Sequence, residues 1–147
     1  MKKLGGEEQS LPAKEEPDIL NSVRVLVVED NEINLYIVVE LLENAGAVVT
    51  TAQNGQEAVD IFSGSDEGEY QLVLMDVQMP VMDGYRATRA IRGLSRSDAA
   101  SVIIIAMTAN SFQEDIRKCL DVGMNAHIAK PFVMEDVCRT YAEALVD

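Results

Sequence analysis

Five short apolar runs, each followed by a stretch of helical period, constrain this chain more than any other feature. The runs are Val25–Val28, Ala47–Thr51, Leu72–Met75, Val102–Met107 and Ala126–Ala129. Runs this short and this apolar read as strands of a sheet covered on both faces. Between them the period changes. Ile33, Ile37, Val38, Leu41, Leu42 and Ala45 recur at helical spacing and stop at Gly46. Asn54 with Glu57 opens a second helix through Ala58, Val59, Ile61 and Phe62, and Asp83 opens a third through Tyr85, Thr88 and Ile91. Ser111 and Glu114 form a capping box ahead of Ile116 and Leu120, and Met134, Val137, Tyr141 and Leu145 make the fifth helix. Strands alternating with helices predict an α/β fold with a parallel sheet covered on both faces and right-handed crossovers.

Residues 1–21 break this pattern. Gly5, Gly6, Pro12 and Pro17 lie among Glu and Lys with no apolar period, which predicts a flexible linker or tag remnant ahead of one domain over 22–147. The first ten residues lack the apolar centre of a signal peptide, and no apolar run approaches the roughly 20 residues of a membrane helix. The expected location is therefore cytoplasmic, with no direct membrane contact. Cys119 and Cys138 sit in helical stretches outside any CxxC or Cys/His pattern, so free thiols are expected rather than zinc or a disulfide. A net charge of −13 argues against a nucleic-acid binder, since phosphate backbones recruit Lys and Arg.

In an open parallel sheet, ligands collect at the carboxyl ends of the strands. The first strand there meets Glu29 and Asp30, the third ends at Asp76, the fourth at Thr108, and the fifth at Lys130 followed by Pro131. Taken singly, each has a plain structural reading. Glu29 and Asp30 suit a helix N-terminus, Asp76 and Lys130–Pro131 suit loops, and Thr108 suits a strand end. Their joint placement on four strand ends has another consequence. Three carboxylates in one place repel one another and raise at least one pKa, unless a hard divalent cation such as Mg2+ sits among them. Mg2+ with few protein ligands shares phosphate oxygens, so the cluster suits phosphoryl transfer to Asp76. Lys130 and the Thr108 hydroxyl would then neutralise the moving group.

The stretches VLVVEDNEIN, LVLMDVQMPVMDGYRATRAIR, IIIAMTAN and GMNAHIAKPF resemble the response-regulator receiver family over about 22–147, in the variant found in hybrid sensor histidine kinases. The resemblance implies a flavodoxin-like (βα)5 sandwich with strand order 2-1-3-4-5. It implies phosphorylation of Asp76 by a phosphohistidine on a histidine kinase or histidine phosphotransfer domain. Asp30, Asp76 and the Gln78 carbonyl would be the metal ligands, with Glu29 acting through a metal-bound water, and Mg2+ replaceable by Mn2+. Thr108 and Lys130 would hold the phosphoryl group, and the bond before Pro131 would be cis, an isomer found in about 5–6% of X-Pro bonds. His127, the sole histidine, stands where the family carries a switch aromatic that turns inward with Thr108; packing alone is its other reading. Phosphorylation would remodel the face formed by the fourth helix, fifth strand and fifth helix, which can include dimer formation. Ile33 and Met134 are candidate contacts for the donor.

The resemblance also implies that Gln78 and Asn110 flank the site at positions that, in that family, modulate water attack on the phospho-aspartate, which leaves its lifetime open. The acidic SGSDEGEY segment, residues 63–70, precedes a strand and reads as a solvated loop. No output domain is expected after Asp147. A stand-alone response regulator is one alternative reading, and an aspartyl-phosphate phosphohydrolase is another. The latter wants a second Asp two residues after the nucleophile, where this chain has Gln78, so an enzyme acting on free substrates is not expected.

Overall fold

The computed structural model describes residues 19–109 and 113–146, the side chains of 113 and 114 excepted. Five parallel strands form one sheet in the order β2-β1-β3-β4-β5: β1 Arg24–Val28, β2 Val48–Ala52, β3 Leu72–Asp76, β4 Ile103–Thr108 and β5 Ala126–Ala129. Five helices connect and flank them: α1 Glu32–Asn44, α2 Gly55–Ser63, α3 Gly84–Arg92, α4 Gln113–Asp121 and α5 Met134–Val146. A single helical turn, Asp98–Ser101, precedes β4; it is too short to leave a period in the sequence.

The pleat sorts the strand side chains into two cores. Leu26, Val28, Val73, Met75, Ile104 and Ala106 face α2, α3 and α4, where Phe62, Ile91 and Cys119 meet them. Their neighbours Val25, Val27, Leu72, Leu74, Ile105 and Met107 face α1 and α5, packing on Leu42, Val137 and Tyr141. Because successive residues point to opposite faces, a strand buried on both sides must be apolar at every position. β3 and β4 are buried along their whole length and apolar up to their last residues, Asp76 and Thr108.

The expected helix starts are visible as hydrogen bonds. Asn54 and Asp83, and likewise Asn31, which the sequence reading did not single out, each accept from the backbone N–H three residues on, at 2.8–2.9 Å. Gly46 closes α1 at φ +92°, a left-handed position that glycine adopts without steric cost. The Ser111–Glu114 capping box and Asn110 fall outside the described side chains. Leu20, upstream of the expected start at Ser22, is fully buried in the α1/α5 core, and the Val23 N–H donates to its carbonyl.

The acidic segment before β3 is a loop with Asp66 and Glu67 exposed, as expected, but it is also anchored. Arg96 donates to the carbonyls of Phe62, Ser65 and Asp66, pairs with Asp98 at 2.6 Å, and stacks 4.8 Å over the Phe62 ring. Glu67 accepts from the Ser97 N–H, and Asp98 accepts from Gly68. The loop is thus tied to the segment after α3, through its backbone carbonyls and the Glu67 carboxylate, by contacts that sequence spacing does not reveal.

Candidate functional site

Extending the sheet's backbone ladder past the strand ends brings the site residues together. The Glu29 N–H donates to the Ala52 carbonyl, the Val77 N–H to Met107, and the Lys130 N–H to Thr108. Val28 lies opposite Met75, Asp76 opposite Met107, and Thr108 opposite Ala129. The parallel register therefore sets Glu29, Asp76, Thr108 and Lys130 side by side at one edge. That edge includes the β1/β3 boundary, where strand order reverses.

The loop after β3 is held from two sides. The Gly84 N–H donates to the Val77 carbonyl, and the Gly55 N–H at the start of α2 donates to Met82. A Cβ on Gly84 would collide with the Asp76 carbonyl oxygen, so only glycine lets α3 begin this close to the site. The Lys130–Pro131 peptide bond is cis.

Oxygen atoms of Glu29, Asp30 and Asp76 lie within 4.8 Å of one another around a cavity of about 230 Å3. Gln78, Thr108 and Lys130 also line it. Glu29, Asp76 and Thr108 are buried, whereas Asp30 and Gln78 are exposed. The Lys130 ammonium reaches Glu29 Oε1 at 2.9 Å and Asp76 Oδ1 at 3.3 Å. The second Glu29 oxygen accepts from the Asn31 N–H at 3.2 Å, and the Gln78 N–H donates to Asp76 Oδ1 at 3.3 Å.

Burial pushes the Asp76 carboxyl up to about 7, and the neighbouring Glu29 charge adds to the rise while Lys130 opposes it. Burial alone would lower the Lys130 pKa, but its hydrogen bond to Glu29 and the charge of Asp76 leave it above the ordinary lysine value. One ammonium does not fully offset three clustered acids. An all-oxygen set with a destabilised carboxylate is the chemistry a hard divalent cation relieves, so these residues fit Mg2+.

Of the other residues singled out in the sequence, His127 is half-buried on β5, opposite Ala106. Ile33 is 72% exposed on α1, while Met134 is half-buried against the α1/α5 core. Two features escaped the sequence reading. Asn31 and Asn34 stand on the cavity rim, and an apolar groove of about 310 Å3 adjoins it, walled by Ile37, Val38, Leu41, Pro131 and Phe132. The EDNEIN spacing, with two Asn three residues apart at a helix start, is the one signal that could have marked the rim.

A parallel sheet of this order, with acids and a lysine at its carboxyl edge, defines a receiver-type phosphoacceptor fold. Residues 25–142 match the family model described as the response regulator receiver domain. The chain is 43% identical over 123 residues to hybrid signal transduction histidine kinase B of Dictyostelium discoideum, across 78% of this chain but 6% of that protein. It also matches the receiver domain of sensor histidine kinase PA1611 from Pseudomonas aeruginosa PAO1, solved with a magnesium ion in the active-site cleft. That match has a TM-score of 0.75 and 36% identity, over 86% of this chain and 99% of the other. A co-crystal structure of Saccharomyces cerevisiae Ypd1, a histidine phosphotransfer protein, with the receiver domain of its downstream response regulator Ssk1 matches at TM-score 0.73. The identity there is 37%, over 84% of this chain and 89% of the other. The chain belongs to the response regulator receiver domain family.

Proposed function

We propose that Asp76 accepts a phosphoryl group from a phosphohistidine on a partner protein, in a reaction that requires Mg2+ and accepts Mn2+ in its place. The observation that carries this reading is the contact of Lys130 with both Asp76 and Glu29 inside a three-carboxylate cavity. Asp30, Asp76 and the Gln78 carbonyl would hold the cation, with Glu29 contributing through water. When bound, the cation neutralises the acids and a phosphoryl oxygen.

An Asp76 carboxylate oxygen attacks phosphorus as the phosphorus–nitrogen bond of the donor breaks, and the bonding pair leaves with the imidazole. Lys130 gives up part of its pairing with Glu29 to hold a second phosphoryl oxygen, and the Thr108 hydroxyl holds a third. The product adds about −1.5 to −2 charges at this edge. Drawing Thr108 inward would favour an inward His127 and a changed α4–β5–α5 face, a surface open to dimer formation. The donor would be a histidine kinase or phosphotransfer protein resting on α1 near Ile33, and the chain would be the receiver segment of a cytoplasmic hybrid-kinase region. Among the described residues, no helix is long and apolar enough to cross a membrane.

Acetyl phosphate with Mg2+ should add one phosphoryl group per chain, read by intact mass. Asp76→Asn should abolish the gain. Labelling that survives Asp76→Asn, or rapid turnover of a general phosphatase substrate, would overturn the assignment.

A further inference from the structure

Two helices on one side of the sheet meet through three side chains. Tyr85, in the first turn of α3, lays its ring beneath the Lys118 ammonium of α4, which stands 4.4 Å from the ring centre. Its hydroxyl donates to the thiol of Cys119, the next residue on α4. Burial pushes the Tyr85 hydroxyl up to about 12 and raises the Cys119 thiol as well, so both stay protonated near neutral pH. Cys119 is 1% exposed within the core, and Tyr85 packs half-buried against the same cluster. Lys118 and Leu120, on the outer side of α4, are exposed.

Tyr85 also stands one residue from the contact with the phosphoacceptor. The Gly84 N–H donates to the Val77 carbonyl, and there is no room for a Cβ between Gly84 and the Asp76 carbonyl oxygen. The first turn of α3 is therefore fastened by its backbone to the loop after Asp76 and by a side chain to α4. A hydroxyl on a thiol and a cation over a ring are both weak contacts. Contacts of that strength hold a helix in one of two arrangements and give way when phosphorylation favours the other. Plain packing requires neither of them, since phenylalanine fills the same space. From this geometry we infer that Tyr85 is a latch that holds α4 against α3 in the unphosphorylated chain and opposes the change of the α4–β5–α5 face. Coupling between α4 and the Asp76 site is reciprocal, so a contact that resists phosphorylation is one that phosphorylation loosens. The inference rests on the acceptor role of Asp76.

Beryllofluoride with Mg2+, a stand-in for the phosphoryl group, tests the latch when titrated calorimetrically into the wild type and three variants. Tyr85→Phe removes the hydroxyl and keeps the ring, and should bind about fivefold more tightly than the wild type, the effect of one weak hydrogen bond. Lys118→Met, at an exposed position, should tighten binding about threefold. Amide hydrogen exchange over residues 115–121 should quicken in Tyr85→Phe without any ligand. A merely structural Tyr85 would instead lower the urea midpoint and leave beryllofluoride binding unchanged or weaker, which overturns the inference. Where Tyr85→Phe does not fold, Lys118→Met decides, and an unchanged affinity there overturns the inference equally. Asp76→Asn should abolish binding. No binding by the wild type, or binding that survives Asp76→Asn, overturns the acceptor reading and the latch with it; binding at Asp76 that neither Tyr85→Phe nor Lys118→Met tightens overturns the latch alone.

Discussion

Asp76 shows how far a single residue's chemistry depends on its neighbours. The sequence predicted that clustered acids would raise at least one pKa; the structure identifies Asp76 and sets it at about 7, chiefly through burial. A carboxyl harder to ionise in the folded chain than in the unfolded one favours folding most below about pH 4. That contribution is lost as pH rises through about 7. Without divalent cations, melting temperature should therefore fall over this range more steeply in the wild type than in Asp76→Asn; parallel curves would refute the shift. Thr88 poses the opposite problem. Its hydroxyl is buried on α3 with no hydrogen-bond partner among the described residues, a cost that Thr88→Val removes while keeping the branched shape. Urea unfolding should show a gain of about 1 kcal/mol.

At the scale of elements, the helices were legible where their periods and caps were complete: Asn54 and Asp83 cap where the sequence placed them, while the Asn31 cap of α1 emerged only in the structure. The contacts joining elements were not legible. Arg92, at the end of α3, donates to the carbonyls of Gly123, Ala99 and Val102 and to the Asn125 side chain. Asn125 in turn accepts from the Ile104 N–H, so one guanidinium ties α3 to the starts of β4 and β5. Burial lowers the Arg92 pKa, and four oxygens depend on this cation. Arg92→Ala should cost about 2–4 kcal/mol in urea unfolding, because it strands several acceptors at once. Arg96 performs a similar task for the acidic segment before β3. No local rule pairs residues about 30 positions apart, so both anchors read in the sequence only as helix-end and loop arginines.

For the whole molecule, the order of the sheet matters most. With β1 between β2 and β3, the first and third strands deliver their acids to one cavity while β4 and β5 bring Thr108 and Lys130. A cation bound there favours the folded state alone, so at a hundred times its Kd, Mg2+ should stabilise the protein by about 2.7 kcal/mol. Melting temperature should rise with Mg2+ in the wild type, and Asp30→Ala should need far more Mg2+ for the same rise. An equal response from both proteins would remove Asp30 from the ligand set.

The sequence by itself determined the number and order of the strands and of the five longer helices, since apolar periodicity and caps are local properties of the chain. It also determined which residues stand at the strand ends. Only the tertiary structure decided that Lys130 pairs with Glu29 as well as Asp76, that Leu20 is part of the core, and that Asn34 joins an acidic cavity to an apolar groove. Those facts depend on distances between segments remote in the chain. Such distances are set by how sheet and helices pack, which no run of neighbouring residues encodes.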